Sequence, residues 1–190
     1  QRQFKLGHRN PRIANHMLRK ALKDNGVHGD VVLLDGRCFK CPEEAIYRKN
    51  GSRQELPPIA GHIGWHPTIM SQVTSHPNFV AWTLSAKREI LNALSLNKNS
   101  GKPLNIAIYC TSGRHRSVAL ASLFTSIMTK EAGAVSTEHL CKFCWTGCQG
   151  DNFPGEECPT CCGHSTVRDE AMEAALTTWN RAKPARAKSH

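Results

Sequence analysis

Apolar residues fall along this chain in two rhythms, three-to-four-residue spacing and short unbroken runs, which is the pattern of helices packed on a sheet. Ile13, Met17, Leu18 and Leu22 recur at helical spacing, with Asn10 placed to cap the helix, Pro11 to open it and Gly26 to close it. The run Val31-Val32-Leu33-Leu34, bounded by Gly29 and Gly36, reads as a strand buried on both faces. Helical spacing returns over 68–73 and 79–96, the second with Phe79, Trp82, Ile90, Leu91 and Leu94 as its expected buried face. A second apolar strand over 104–109 leads through a polar loop, 110–117, into the apolar run 118–128, predicted as a buried helix. Residues 134–140 are predicted as a third strand. Thr166–Arg181 is predicted as a terminal helix with Val167, Ala171, Ala174, Ala175 and Trp179 on its apolar side.

Strand, helices, strand, loop, helix is the order of an α/β fold: a mostly parallel sheet with helices on both faces. The expected division is an N-terminal arm and helix over 1–27, the α/β domain over 28–140, a small cysteine-rich knuckle and helix over 141–182, and a basic disordered tail over 183–190. In such sheets ligands gather at the carboxyl ends of the strands. That edge carries Asp35 and Arg37 after the first strand, and Cys110, Thr111, Ser112, Gly113, Arg114, His115, Arg116 and Ser117 after the second. A glycine, small residues and three cationic or titratable side chains before a helix N-terminus, whose N–H groups lack acceptors, make an anion cradle. If the third strand lies beside the second, His139 emerges at the same edge.

Composition sharpens this picture. The 190 residues carry a formal net charge of +10 with ten histidines besides, so a polyanionic partner is favoured, either a phosphorylated ligand or RNA. No apolar run approaches the roughly 18 residues of a membrane span. Six of the nine cysteines lie between Cys141 and Cys162. Cys141-x-x-Cys144 and Cys158-x-x-Cys161, separated by 13 residues, match zinc-ribbon spacing. The expected ligands of a structural Zn²⁺ are these four cysteines, with Cys148 and His164 in reserve. Free thiols and disulfides are the other fates open to such a segment. Clustered Cys-x-x-Cys pairs indicate an intracellular, reducing compartment. Cys38 and Cys41 have the same spacing, but a single pair is a weak signal, and the Gly61-His62-Ile63-Gly64-Trp65-His66 stretch suggests close backbone approach.

Two chemical templates fit the loop. In Cys-x5-Arg-Ser, Cys110 is the thiolate nucleophile of a cysteine-dependent phosphatase, Arg116 grips the phosphoryl oxygens and Asp35 or His139 supplies the acid. Tyr109 stands where the protein-tyrosine phosphatases have histidine, and no Trp-Pro-Asp loop occurs. Cys-Thr-Ser-Gly-Arg-His-Arg-Ser followed by Val118 resembles more closely the signature Gly-Cys-Thr-Gly-Gly-(Lys/Gln)-His-Arg-Ser-Val of the C-terminal domain of the RapZ family. Upstream, Asp35-Gly36-Arg37-Cys38-Phe39-Lys40-Cys41-Pro42 resembles that family's Asp-Val-Arg-Phe-x-x-Asn-Pro. Gly61 falls at its Thr-Gly turn, and 135–139 resembles its closing strand with a histidine.

This resemblance, over about 28–140, implies an α/β domain of phosphofructokinase-like fold with a phosphate-binding loop, a domain that in bacterial members binds small regulatory RNA and a phosphorylated amino sugar. By position it implies an anion pocket of Cys110, Thr111, Gly113, His115, Arg116 and Ser117, surrounded by Asp35, Arg37 and His139. The family's ATPase motif Gly-x4-Gly-Lys-(Ser/Thr) does not occur in these residues, Ser112 replaces the second glycine, and the cysteine-rich segment lies outside the pattern. The reading is a binding domain rather than an enzyme, with cysteine-dependent phosphatase and structural subunit of a larger assembly as alternatives.

Overall fold

The computed structural model describes residues 11–40, 58–97, 101–133, 135–140, 148 and 158–181. Pro11–Asp24 forms α1. Its end is fixed by backbone N–H bonds from Gly26 to Lys23 O and from Val27 to Leu22 O, with Gly26 at φ 79° as a left-handed closure requires. β1 (Val31–Asp35) and β2 (Asn105–Tyr109) pair in parallel, Val31 opposite Asn105 and Asp35 opposite Tyr109. Among the described residues these two strands make up the whole sheet. Between them come a 3-10 turn (Pro58–Gly61), α2 (Pro67–Thr74) and α3 (Phe79–Asn97). After β2 come α4 (Arg116–Ala132), the single turn α5 (Pro159–Cys162) and α6 (Thr166–Arg181).

The pleat divides the strands' side chains between two faces. Val32, Leu34, Ile106 and Ile108 join the main core with Leu120, Leu123 and Ile127 of α4. Leu33 and Tyr109 meet Leu18 of α1 on the other face, where the Tyr109 hydroxyl donates to Asn15 Oδ1 at 3.3 Å. Helices therefore cover both faces, as α/β patterning requires. Phe39, Trp82, Phe124 and Trp179 run through the core as successive edge-on rings 5.3–5.7 Å apart. That chain ties the turn after β1 to the terminal helix.

Three expectations are corrected. Residues 135–140 are irregular, not a strand. Thr137 hydrogen-bonds Thr125 on the flank of α4, and Val135 is 39% exposed, so the segment lies along a helix and not in the sheet. α3 buries Phe79, Thr83, Ala86 and Ile90, while Leu91 and Leu94 face solvent. α6 buries Ala171, Ala175 and Trp179, with Val167 and Ala174 exposed. In both helices the periodicity was right and the buried stripe narrower than the apolar residues available, since each helix has only one packed side.

Candidate functional site

The loop 110–117 leaves the carboxyl end of β2 and turns at Gly113, φ 69°, into α4. Its side chains sort into two groups. Cys110, His115, Arg116 and Ser117 are buried, and Thr111 and Ser112 are exposed, with Gly113 and Arg114 between. The Cys110 thiol donates to Ser117 Oγ at 3.2 Å. Arg116, 3% exposed, donates from Nη1 to the carbonyls of Arg37 (3.2 Å) and Phe39 (2.9 Å) and from Nη2 to Thr111 Oγ1 (3.1 Å). Its guanidinium thus joins the turn after β1 to the loop after β2. The sheet edge and the loop form one unit.

Asp35 and Arg37 stand at that edge. Arg37 Nη2 lies 2.5 Å from Asp35 Oδ2, Nε is 2.9 Å from both carboxylate oxygens, and the Arg37 backbone N–H donates to Oδ1 at 2.9 Å. The guanidinium also covers the Tyr109 ring at 5.5 Å. Burial pushes the Asp35 carboxyl up, but the hydrogen bonds and charge of Arg37 outweigh it and hold the group below its ordinary value. The Trp82 indole N–H donates to Asp35 O at 2.7 Å, which fixes the strand end.

His139 is placed on the flank of α4. Its ring meets Trp65 edge-on at 5.5 Å, and with Trp65, Ser122 and Met172 it lines a cavity of about 510 Å³ that no residue of 110–117 borders. In place of a third strand, the segment carrying His139 runs back along α4, where Thr137 hydrogen-bonds Thr125.

On the other side of the loop the segment 61–66 passes close to α4. Gly64 N–H donates to Arg114 O at 3.0 Å, and Arg114 Nη2 donates to Gly61 O at 2.6 Å. A Cβ on Gly64 would overlap the His115 carbonyl oxygen and the Ala119 nitrogen, so only glycine allows this approach. The opposite side of the same segment carries His62, which meets Cys148, Cys158 and Cys161. All four are buried, and their donor atoms lie within 4.8 Å of one another. Cys148 Sγ is 3.5 Å from Cys161 Sγ, and His62 Nδ1 is 3.6 Å from Cys158 Sγ and 3.5 Å from Cys161 Sγ. A tetrahedral ion with metal–sulfur bonds of about 2.3 Å and metal–nitrogen of about 2.1 Å needs edges of about 3.8 and 3.6 Å. The group could therefore hold a metal ion with little rearrangement.

Of the expected ligands, Cys158 and Cys161 are in this group and Cys148 joins them, while Cys141 and Cys144 lie outside the described residues. His164 is exposed and pairs with Asp169 at 3.4 Å. Cys38 and Cys162 are exposed thiols, and Cys41 lies outside the described residues. His62 was missed because it stands 96 residues before Cys158, with no cysteine beside it. The glycines around it were the available signal.

The electrostatics of the group are those of thiols gathered out of water. Burial pushes Cys161 and Cys148 up. Burial also raises Cys158, but the backbone N–H groups of Cys161 and Thr160 more than offset it and bring this thiol below its ordinary value. Burial, then the Arg114 charge, lowers His62, and burial with His62 and Arg168 lowers His66 to about 4. Neutral imidazoles suit metal ligation. Arg168 of α6 closes the structure: Nη1 donates to Gly163 O (2.8 Å) and Nη2 to Trp65 O (3.2 Å), Thr160 O (3.3 Å) and Cys161 O.

The fold and site together define an α/β domain with a polar loop at the carboxyl edge of a parallel strand pair and a buried Cys/His group beside it. The family model of the RapZ C-terminal domain matches residues 32–141, more than half of the chain, and the protein belongs to that family. It is 35% identical over 86 residues to the nucleotide-binding protein amb4396 of Paramagnetospirillum magneticum, an alignment covering 45% of this chain and 27% of that protein. The chain thus spans about a quarter of that relative's length. No solved structure gives a significant match. Among the described residues no helix is long and apolar enough to cross a membrane.

Proposed function

We propose that this domain binds the phosphate of a phosphorylated small molecule, or of an RNA backbone, at the loop 110–117. The observation that carries the reading is the placement of the exposed Thr111 and Ser112 and the positive-φ Gly113 ahead of the 17-residue helix α4, on the edge where both parallel strands end. Backbone N–H groups and hydroxyls there would take the phosphate oxygens, in keeping with the helix dipole. Family membership, the nucleotide-binding relative and the net charge of +10 support the same reading. Within the pocket the roles divide by burial: Thr111, Ser112, Gly113 and Arg114 face the ligand, while Cys110, His115, Arg116 and Ser117 hold the loop's shape beside Asp35 and Arg37.

Phosphatase turnover has weaker support, because the Cys110 thiol is 3% exposed and Arg116 is engaged by backbone carbonyls. The Cys/His group would hold Zn²⁺. Three thiols and an imidazole at tetrahedral edge lengths suit that ion, and free buried thiols fit an intracellular, reducing compartment.

Titration of a short RNA and of a nucleotide into the wild-type chain and Ser112→Asp tests the reading. A carboxylate at this exposed position would repel the phosphate, and affinity should fall at least about tenfold, an electrostatic cost of about 1.4 kcal/mol. RNA affinity should also drop steeply as salt rises. Equal affinity for both proteins would remove the loop as the site.

A further inference from the structure

The segment 61–66 lies between the two features just described and bonds to both. We infer that a metal ion at His62, Cys148, Cys158 and Cys161 braces the anion loop, so that metal occupancy controls the loop's order and through it the affinity for phosphate. The second half of this inference rests on the phosphate reading of the loop; the first half does not.

The connection is short. His62 Nδ1 faces Cys158 and Cys161 at 3.6 and 3.5 Å. One residue before it, Gly61 O takes the Arg114 guanidinium at 2.6 Å, and two residues after it, Gly64 N–H returns a bond to Arg114 O at 3.0 Å. Arg114 is therefore held through side chain and backbone by one turn of chain whose other side is a ligand. Ile63, between them, is fully buried against Cys148, Cys158 and Cys161. The Gly64 backbone rests on the His115 carbonyl and the first turn of α4, so the segment cannot shift without moving the helix start. Arg168 ties Trp65 O to the carbonyls of Thr160, Cys161 and Gly163, which joins the same segment to the knuckle a second time. These contacts make the His62 segment a second anchor of the loop, beside Arg116, and a metal bond to His62 would fix that anchor far more firmly than a thiol–imidazole contact.

Amide hydrogen exchange on the full chain, loaded with Zn²⁺ and after chelation, reads the coupling directly. Exchange at 111–116 should rise at least about tenfold when the metal is removed, while the middle of α3 stays protected. His62→Ala should lose metal and loop protection together, and His62→Cys, which keeps four ligands, should retain both. Arg114→Leu should keep the metal and show a smaller change at the loop on chelation, because the bond to Gly61 O is lost while the Gly64 N–H bond to the Arg114 carbonyl remains. Loop exchange that ignores a verified loss of zinc overturns the inference. So does an equal rise throughout α3, which would make the ion a general stabiliser. Inorganic phosphate and a short RNA then separate the two proposals. Equal affinity with and without metal overturns this coupling and leaves the phosphate reading intact. A metal-responsive loop with no affinity for either probe keeps the brace and removes the phosphate reading.

Discussion

Arg116 shows how burial changes the meaning of a residue. In the sequence it is the arginine of Cys-x5-Arg and belongs to the anion; in the fold it is 3% exposed and donates to two backbone carbonyls and a hydroxyl. Replacing it by methionine would leave those buried carbonyls without a partner at about 1 to 3 kcal/mol each. The expected loss is on the order of 3 kcal/mol in urea unfolding, and Arg116→Lys, which lacks the planar fork, should recover only part of it. An unchanged urea midpoint with lost phosphate affinity would return Arg116 to the ligand. Asp35 makes a second prediction. Because Arg37 holds its carboxyl below the ordinary 3.8, the unfolded chain takes up the proton first as pH falls. The pair's contribution is complete above about pH 4 and fades as pH drops through the lowered folded value. Asp35→Asn should remove that slope from the acid side of a stability–pH curve. With Asp35 38% exposed, solvent screening keeps the amplitude small.

Among elements, legibility followed the range of the forces involved. β1, β2 and α4 could be read because each is specified by its own residues: unbroken apolar runs, bounding glycines and a long apolar helix. Residues 135–139 carry a strand-like composition, but a strand exists only where a neighbouring strand offers its hydrogen bonds, and here α4 offers the Thr125 hydroxyl and a flank of Ser122 and Ser126 instead. α3 shows the same limit, since its periodicity was plain but its contact with α6 and β1 selected Phe79, Thr83, Ala86 and Ile90. Ile90→Ala should therefore cost about 2 to 5 kcal/mol, while Leu94→Gln, at a position 46% exposed, should stay within about 0.5 kcal/mol of wild type. The reverse order in a denaturation series would place the buried stripe where periodicity alone puts it. Half of the Cys/His group was legible for the same reason: Cys158 and Cys161 share one turn, whereas His62 arrives through tertiary folding.

Across the whole molecule, the terminal helix and the cysteine-rich segment share structure with the family domain. Trp179 lies in the main core against Phe124, Lys87 reaches Trp179 O at 2.8 Å, and Arg168 gathers carbonyls from both sides of the Cys/His group. A metal there would cross-link segments 96 residues apart in sequence and bind the folded chain in preference to the unfolded one. Free zinc at about a thousand times its dissociation constant stabilises by about 4 kcal/mol, which for a chain of this length corresponds to a Tm shift of about 8 to 16 °C. Chelation followed by a thermal scan should show a fall of that size, reversed by adding zinc back. Arg168→Met should shrink it, because the knuckle and the His62 segment would then be less firmly brought together before the ion arrives. A shift below about 2 °C with the zinc demonstrably gone would mean that the three thiols and His62 pack as ordinary core, and that the bonds of Arg116, Arg114 and Gly64 shape the loop without help from an ion.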